Sequence, residues 1–242
     1  MKKTVIRVLA VVLAITVVLL IIFISSCNRN EKKTDTANPG TTVDEALTGY
    51  HENAIENSDN VNGARFNTTL EAFTRRYNEA KQRLGETDLI VFNKWQKHGG
   101  ETNDDNGIKI QYYYYDEENT NFTATVEVES QKLLNIGFGT TMAYYMGQTG
   151  KQSNSETALQ KAALMAQAAC QYQDSSAEIL TEIFRQTTTD ENETLWFQHC
   201  VYKLDTQQDK QDSKNNIMLF RVFPIADRLK SEWKLKEYNP QK

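Results

Sequence analysis

Between Ile108 and Phe138 the chain holds three strand patterns joined by connections too short for a helical crossover, which restricts this stretch to an antiparallel meander. Its middle segment is the clearest. Phe122, Ala124, Val126 and Val128 alternate with Thr123, Thr125, Glu127 and Glu129, giving one dry face and one wet face. Ile108–Tyr115 and Leu133–Phe138 flank it, and Asp88–Lys97, carrying Leu89, Ile90, Val91, Phe92 and Trp95, reads as a strand ahead of them. The breaks are turn-forming: Asn103-Asp104-Asp105-Asn106-Gly107, Asp116 to Asn121, and Ser130-Gln131-Lys132. The first break invites a calcium reading. With Gly107 at the turn position of an EF-hand loop, however, Thr102 and Tyr113 fall where carboxylates are needed, so Asn106-Gly107 is expected to close a hairpin.

Helices bracket these strands. Thr68 and Glu71 have capping-box spacing, Leu70, Phe73, Tyr77, Ala80 and Leu84 draw one apolar stripe, and Gly85 suits a left-handed stop. A helix over about 69–84 follows, with Arg75, Arg76, Lys81 and Arg83 on its wet side. Ser153 with Glu156 opens a second helix whose Leu159, Ala162, Ala163, Ala166, Ala169 and Cys170 form a small-residue face. Ser175 with Glu178 opens a third, carrying Ile179, Leu180, Ile183 and Phe184. Leu195–Leu204 and Ile217–Phe223 then read as strands on either side of a polar loop. Pro224 stops the second of them, and Ile225, Leu229 and Trp233 suggest a closing helix. The expected fold is α+β: an antiparallel sheet of about five to six strands with helices packed mainly on one face. At the level of topology alone, this element order looks like that of type III secretion chaperones.

The N-terminus carries a different message. Met1-Lys2-Lys3 precedes an apolar run, with 17 uncharged residues from Val8 to Ile24, and Ile24-Ser25-Ser26-Cys27 closes it. A charged n-region, an h-region and small residues at a processing site mark export. The cysteine after Ile-Ser-Ser resembles the lipobox of bacterial lipoproteins. That resemblance implies removal of residues 1–26, lipidation of the Cys27 thiol and attachment to the outer side of a cell membrane. An uncleaved signal anchor is the alternative, and Lys2, Lys3 and Arg7 give both readings the same topology. Residues 27–65 are expected to be the lipidated cysteine and a polar tether, apart from a short helical pattern over Val43–Ile55. A single extracytoplasmic domain is expected over 66–240.

Charge narrows the partners. The net charge is −5, from 27 Lys and Arg against 32 Asp and Glu, and loss of Lys2, Lys3 and Arg7 makes it −8. No basic stripe is present, so nucleic acid is not an expected ligand. Anchoring to a membrane must then come from the lipid. The remaining cysteines, Cys170 and Cys200, are either a disulfide, as export favours, or two buried thiols. They lack further ligands at metal-site spacing, and no metal or cofactor is expected.

Candidate catalytic groups are unspecific. Of His51, His98 and His199, the first falls in the tether and the second beside Gly99-Gly100. The third, read as a strand neighbour of Cys200, points to the opposite face from it. Glu117, Glu118, Glu127 and Glu129 have no signature of paired carboxylate chemistry. Gly137-Phe138-Gly139 lacks the third glycine of a phosphate loop and suits a bend or a close backbone approach. No enzymatic activity is expected, with an envelope hydrolase as the enzymatic alternative. The functional lead is aromatic: Tyr112-Tyr113-Tyr114-Tyr115 along a strand, then Met142, Tyr144, Tyr145 and Met146. Tyr113, Tyr115, Tyr144 and Tyr145 are the candidate contacts for an envelope or surface protein or peptide. A concave aromatic pocket would instead favour a small molecule or glycan.

Overall fold

The alternation at Phe122–Val126 lies inside an eight-stranded sheet in the computed structural model, which describes residues 54–56, 64–117, 120–147, 153–173, 176–189, 194–208 and 216–239. Cys27 and His51 fall outside the described residues. A small ladder comes first, with β1 (Ile55–Glu56) antiparallel to β2 (Arg65–Phe66). Ile55, expected to end a helix, is in this ladder. Ala54 and Ile55 are buried in the main core, so the packed body reaches back beyond Phe66. Then follow helix α1 (Leu70–Arg83), β3 (Gln96–Asn103), β4 (Lys109–Glu117), β5 (Thr120–Glu127) and β6 (Leu133–Thr141). Helices α2 (Met142–Met146), α3 (Ser155–Cys170) and α4 (Ala177–Thr189) come next. Strands β7 (Thr194–Phe197), β8 (Cys200–Gln207) and β9 (Ile217–Pro224), helix α5 (Asp227–Glu232) and strand β10 (Lys236–Glu237) complete the order.

The fold is α+β, with a larger sheet than the five to six strands expected. Its order is β10-β7-β8-β9-β6-β5-β4-β3. The pairings are antiparallel except at one edge, where β10 runs parallel to β7. Two sequence expectations need correction to reach this arrangement. Asp88–Lys97 is not a strand: Phe92–Lys94 is a 3-10 turn, and the chain joins the sheet only at Gln96. Leu195–Leu204 is two strands, because Gln198 and His199 take positive φ (45° and 63°) and form a two-residue reversal that pairs Phe197 with Cys200. Short β10 carries no alternation that a sequence pattern could detect.

One sheet face is covered by helices. Met218, Phe220 and Val222 of β9 point into the core, where the Phe220 ring meets Phe184 of α4 and Tyr145 of α2. Phe122 of β5 meets Tyr77 of α1. Helix α3 is buried almost all round from Ala162 to Cys170, and its alanines let neighbouring elements approach closely. The other face is polar at its centre, where the register aligns Tyr114, Thr123, Gly137, Arg221 and Lys203. At one end α5 covers it, with Lys230 Nζ 3.7 Å from the Trp196 ring centroid and Trp233 against Phe223.

Capping differs from expectation in detail. The N-cap of α1 is Thr69, not Thr68: its hydroxyl accepts from Ala72 N–H at 3.2 Å. Thr68 is held by the sheet instead, its carbonyl accepting from Leu133 N–H at 2.9 Å. At the other end Gly85 (φ +80°) donates to the Gln82 carbonyl and Glu86 to that of Lys81, a Schellman closure. Lys81, expected to be wet, is buried, with Nζ 3.2 Å from Glu86 and 3.1 Å from Asp88 carboxylate oxygens. Arg76 is half-buried, and its Nε donates to the Ala168 carbonyl at 2.9 Å. Asn154 rather than Ser153 precedes α3; the Ser153 hydroxyl donates to the Tyr145 carbonyl at 2.8 Å. Ser175 lies outside the described residues.

Candidate functional site

The segment expected to be the first strand builds one wall of a concave feature of the surface. Residues 90–95 lie across α1 and are fixed by three polar side chains. Asn78 clamps Ile90 from both sides, its Oδ1 accepting from Ile90 N–H at 3.0 Å and its Nδ2 donating to the Ile90 carbonyl at 2.7 Å. The Tyr115 hydroxyl accepts from Val91 N–H at 3.2 Å, and Trp95 Nε1–H donates to the Thr74 hydroxyl at 3.1 Å. Pinned in this way, the 3-10 turn holds the Phe92 side chain outward, 43% exposed.

Between this turn, the start of α1 and strands β4 and β5 lies a cleft of about 380 Å³. Phe92, Trp95 and Tyr113 give it aromatic walls, together with Leu70 and Val126. Its polar lining is Thr69, Glu71, Asn93 and Gln131, and Glu71 is the single charged residue among those lining it. The volume falls at the lower end of small-ligand pockets, about 300–1,000 Å³. The aromatic frame is rigid: Trp95 packs against Phe73, Tyr115 and Phe122 with centroids 5.6–6.4 Å apart.

The four candidate tyrosines separate. Tyr113 lines the cleft. Tyr115 is 5% exposed and Tyr145 8%, packed against Trp95 and Phe220 respectively, so neither offers a surface to a partner. Tyr144 is half-buried on the short α2. Tyr112 and Tyr114 alternate to the opposite face of β4, and Tyr112 is the more exposed. No continuous tyrosine patch forms, because strand alternation divides the run between the two sheet faces.

The remaining candidates lie elsewhere. Glu127, read as a wet strand residue, is buried and paired with the Arg65 guanidinium and the Ser130 hydroxyl. Asp104 Oδ1 accepts from the N–H groups of Asn106 and Ile108 at 2.9 and 2.8 Å, and Gly107 has φ +78°. These bonds close the expected hairpin. Gly137 and Gly139 meet close approach: a Cβ at Gly139 would lie 2.1 Å from the Asn121 carboxamide oxygen, and one at Gly137 2.7 Å from the Thr123 hydroxyl. His199 is in the tight turn, not a strand, with its ring against Trp196. His98 is on edge strand β3, with four strands between it and Cys200 on β8, a separation on the order of 20 Å. Among the described residues, no three His, Cys, Asp or Glu side chains group to hold a metal ion. No helix among them is long and apolar enough to cross a membrane. The cleft has no signature in the sequence, since Phe92 and Trp95 also satisfy a strand pattern and the Asn78 clamp has no local motif.

Comparison with known protein families, with curated proteins and with solved structures finds no match.

Proposed function

We propose that this chain is an extracytoplasmic lipoprotein that binds a small, largely uncharged ligand with a stackable face, of the glycan class, in the cleft beside Phe92, and that it acts without catalysis. The carrying observation is the cleft's composition: an aromatic frame with hydroxyl, amide and carboxylate groups around it. The C–H face of a sugar ring packs on an aromatic side chain while its hydroxyls meet planar amides and a carboxylate. Glu71 as the one charged lining residue disfavours an anionic ligand and tolerates a neutral or amino sugar. The division of the tyrosine run weighs against a flat protein-binding patch.

Trp95 supplies the readout. Titrating the protein with neutral, amino and acidic oligosaccharides, followed by tryptophan emission and saturation-transfer NMR, should select neutral or amino members. Phe92→Ala should weaken binding about tenfold or more, roughly 1.4 kcal/mol, with the melting temperature unchanged because Phe92 is an exposed side chain. Silence across the saccharides, with a recurrent protein adduct from a photo-crosslinker at Tyr113, would replace this reading with the interaction-module one.

The anchor is tested separately. Cys27→Ser should abolish incorporation of a fatty-acid label and release the chain from the membrane fraction, or leave it as an unprocessed precursor. Unchanged labelling in that variant would end the lipidation reading.

A further inference from the structure

Two sulfurs that start far apart in the chain finish together in the core. Cys170 closes α3 and Cys200 opens β8, separated by 30 positions, and their Sγ atoms lie 3.6 Å apart. Both side chains are fully buried. Each is placed by a tight chain reversal. After Cys170 the helix stops at Gln171, whose left-handed φ of 56° carries the chain out, with its N–H donating to the Gln167 carbonyl. Before Cys200 the two-residue turn at Gln198-His199 sets the start of β8. The sulfurs are in non-bonded contact, and a disulfide requires about 2.05 Å. Bond formation requires the two sulfurs to approach by a further ~1.5 Å.

Their surroundings decide when a bond could form. The Tyr172 and Tyr202 hydroxyls lie 3.4 Å apart and are buried. Burial pushes the Cys200 thiol, and both tyrosine hydroxyls, well above their ordinary values. A thiol without solvent access that resists ionisation does not exchange with an outside disulfide.

We infer that Cys170 and Cys200 are joined in a structural disulfide in the exported protein, made while the chain folds and sealed when α3 and the β7–β8 hairpin close over it. The inference rests on the extracytoplasmic reading above, since that is where an oxidant of this class is supplied. During folding one cysteine, as thiolate, attacks a disulfide of a thiol–disulfide oxidoreductase or of oxidised glutathione. One thiol leaves, and the second cysteine, as thiolate, attacks the mixed disulfide and releases the other. Two electrons and two protons pass from the cysteine pair to the oxidant, which departs as two thiols.

Two arms test this. In the first, the full chain is taken from the membrane fraction, denatured in an alkylating reagent and mapped by mass spectrometry before and after reduction. In the second, purified Cys27→Ser chain is reduced, unfolded and refolded in a glutathione redox buffer. A linked Cys170–Cys200 peptide is expected in both, with reduction of the folded protein slowed about a hundredfold or more relative to the same protein in denaturant. Refolded protein with both thiols alkylatable would overturn the pairing. A bond in the refolded chain but not in the cell-derived one would sink the extracytoplasmic reading and leave the pairing supported.

Discussion

Phe220→Ala should lower the unfolding free energy by about 3–5 kcal/mol, seen as a large fall in the urea midpoint with the slope unchanged. The ring is fully buried, and aromatic side chains from three other elements close on it: Phe184 at 5.6 Å, Tyr145 at 6.2 Å and Phe138 at 6.4 Å. Strand β9 cannot move into the vacated space, because it is hydrogen-bonded to β6 on one side and β8 on the other. The cavity therefore stays open, and truncation loses both the transfer energy and the contacts around it. A loss below about 2 kcal/mol would mean that these elements can collapse on one another.

Lys81 provides the second large effect, and its two substitutions separate packing from charge. The side chain is 1% exposed, yet its ammonium reaches the Glu86 and Asp88 carboxylates and the Asp88 backbone carbonyl. Lys81→Ala removes a buried aliphatic stem beside Tyr77 and should cost about 2–4 kcal/mol. Lys81→Met keeps the stem and should cost about 1–2 kcal/mol, since the two carboxylates can hydrate and the carbonyl is what loses its partner. The pH dependence follows from Asp88. Burial alone would raise its carboxyl, but the hydrogen bond and charge of Lys81 outweigh that and hold it below its ordinary value. With the folded value lowered, the contact stabilises fully above the unfolded value of about 3.9 and is lost as pH falls through the folded one. Urea midpoints measured down through this window should drop less steeply in Lys81→Met than in the parent. An identical acid limb in both would show that the pair contributes nothing.

Legibility in the sequence followed exposure. Where a segment has one dry face, as at Leu70–Ala80 or Phe122–Val126, periodicity located the element to within a residue or two. Strand β3 (Gln96–Asn103) was invisible because every residue in it is exposed, leaving no apolar alternation to read. Phe92 and Trp95 misled for the converse reason: apolar residues needed to build the cleft filled a strand-like window. The reversal at Gln198-His199 is hidden because the pair lacks the Gly, Asn or Asp that marks such a turn in a sequence. Lys81 and Glu127, read as wet by type, are buried through partners on other elements, which local spacing does not reveal.

Both margins of the main sheet bear on how this protein meets others. One is β3, with Lys97, His98 and Glu101 along it and a break in register between His98 and Thr102. The other is the two-residue β10. A long, regular, unpaired backbone ladder is what lets a foreign chain add itself as another strand, and charge, irregularity and shortness each oppose that. On the proposed membrane anchor, where neighbours would be concentrated in two dimensions, blunted margins would oppose the zipping of adjacent copies into fibres. Recognition is then left to side chains.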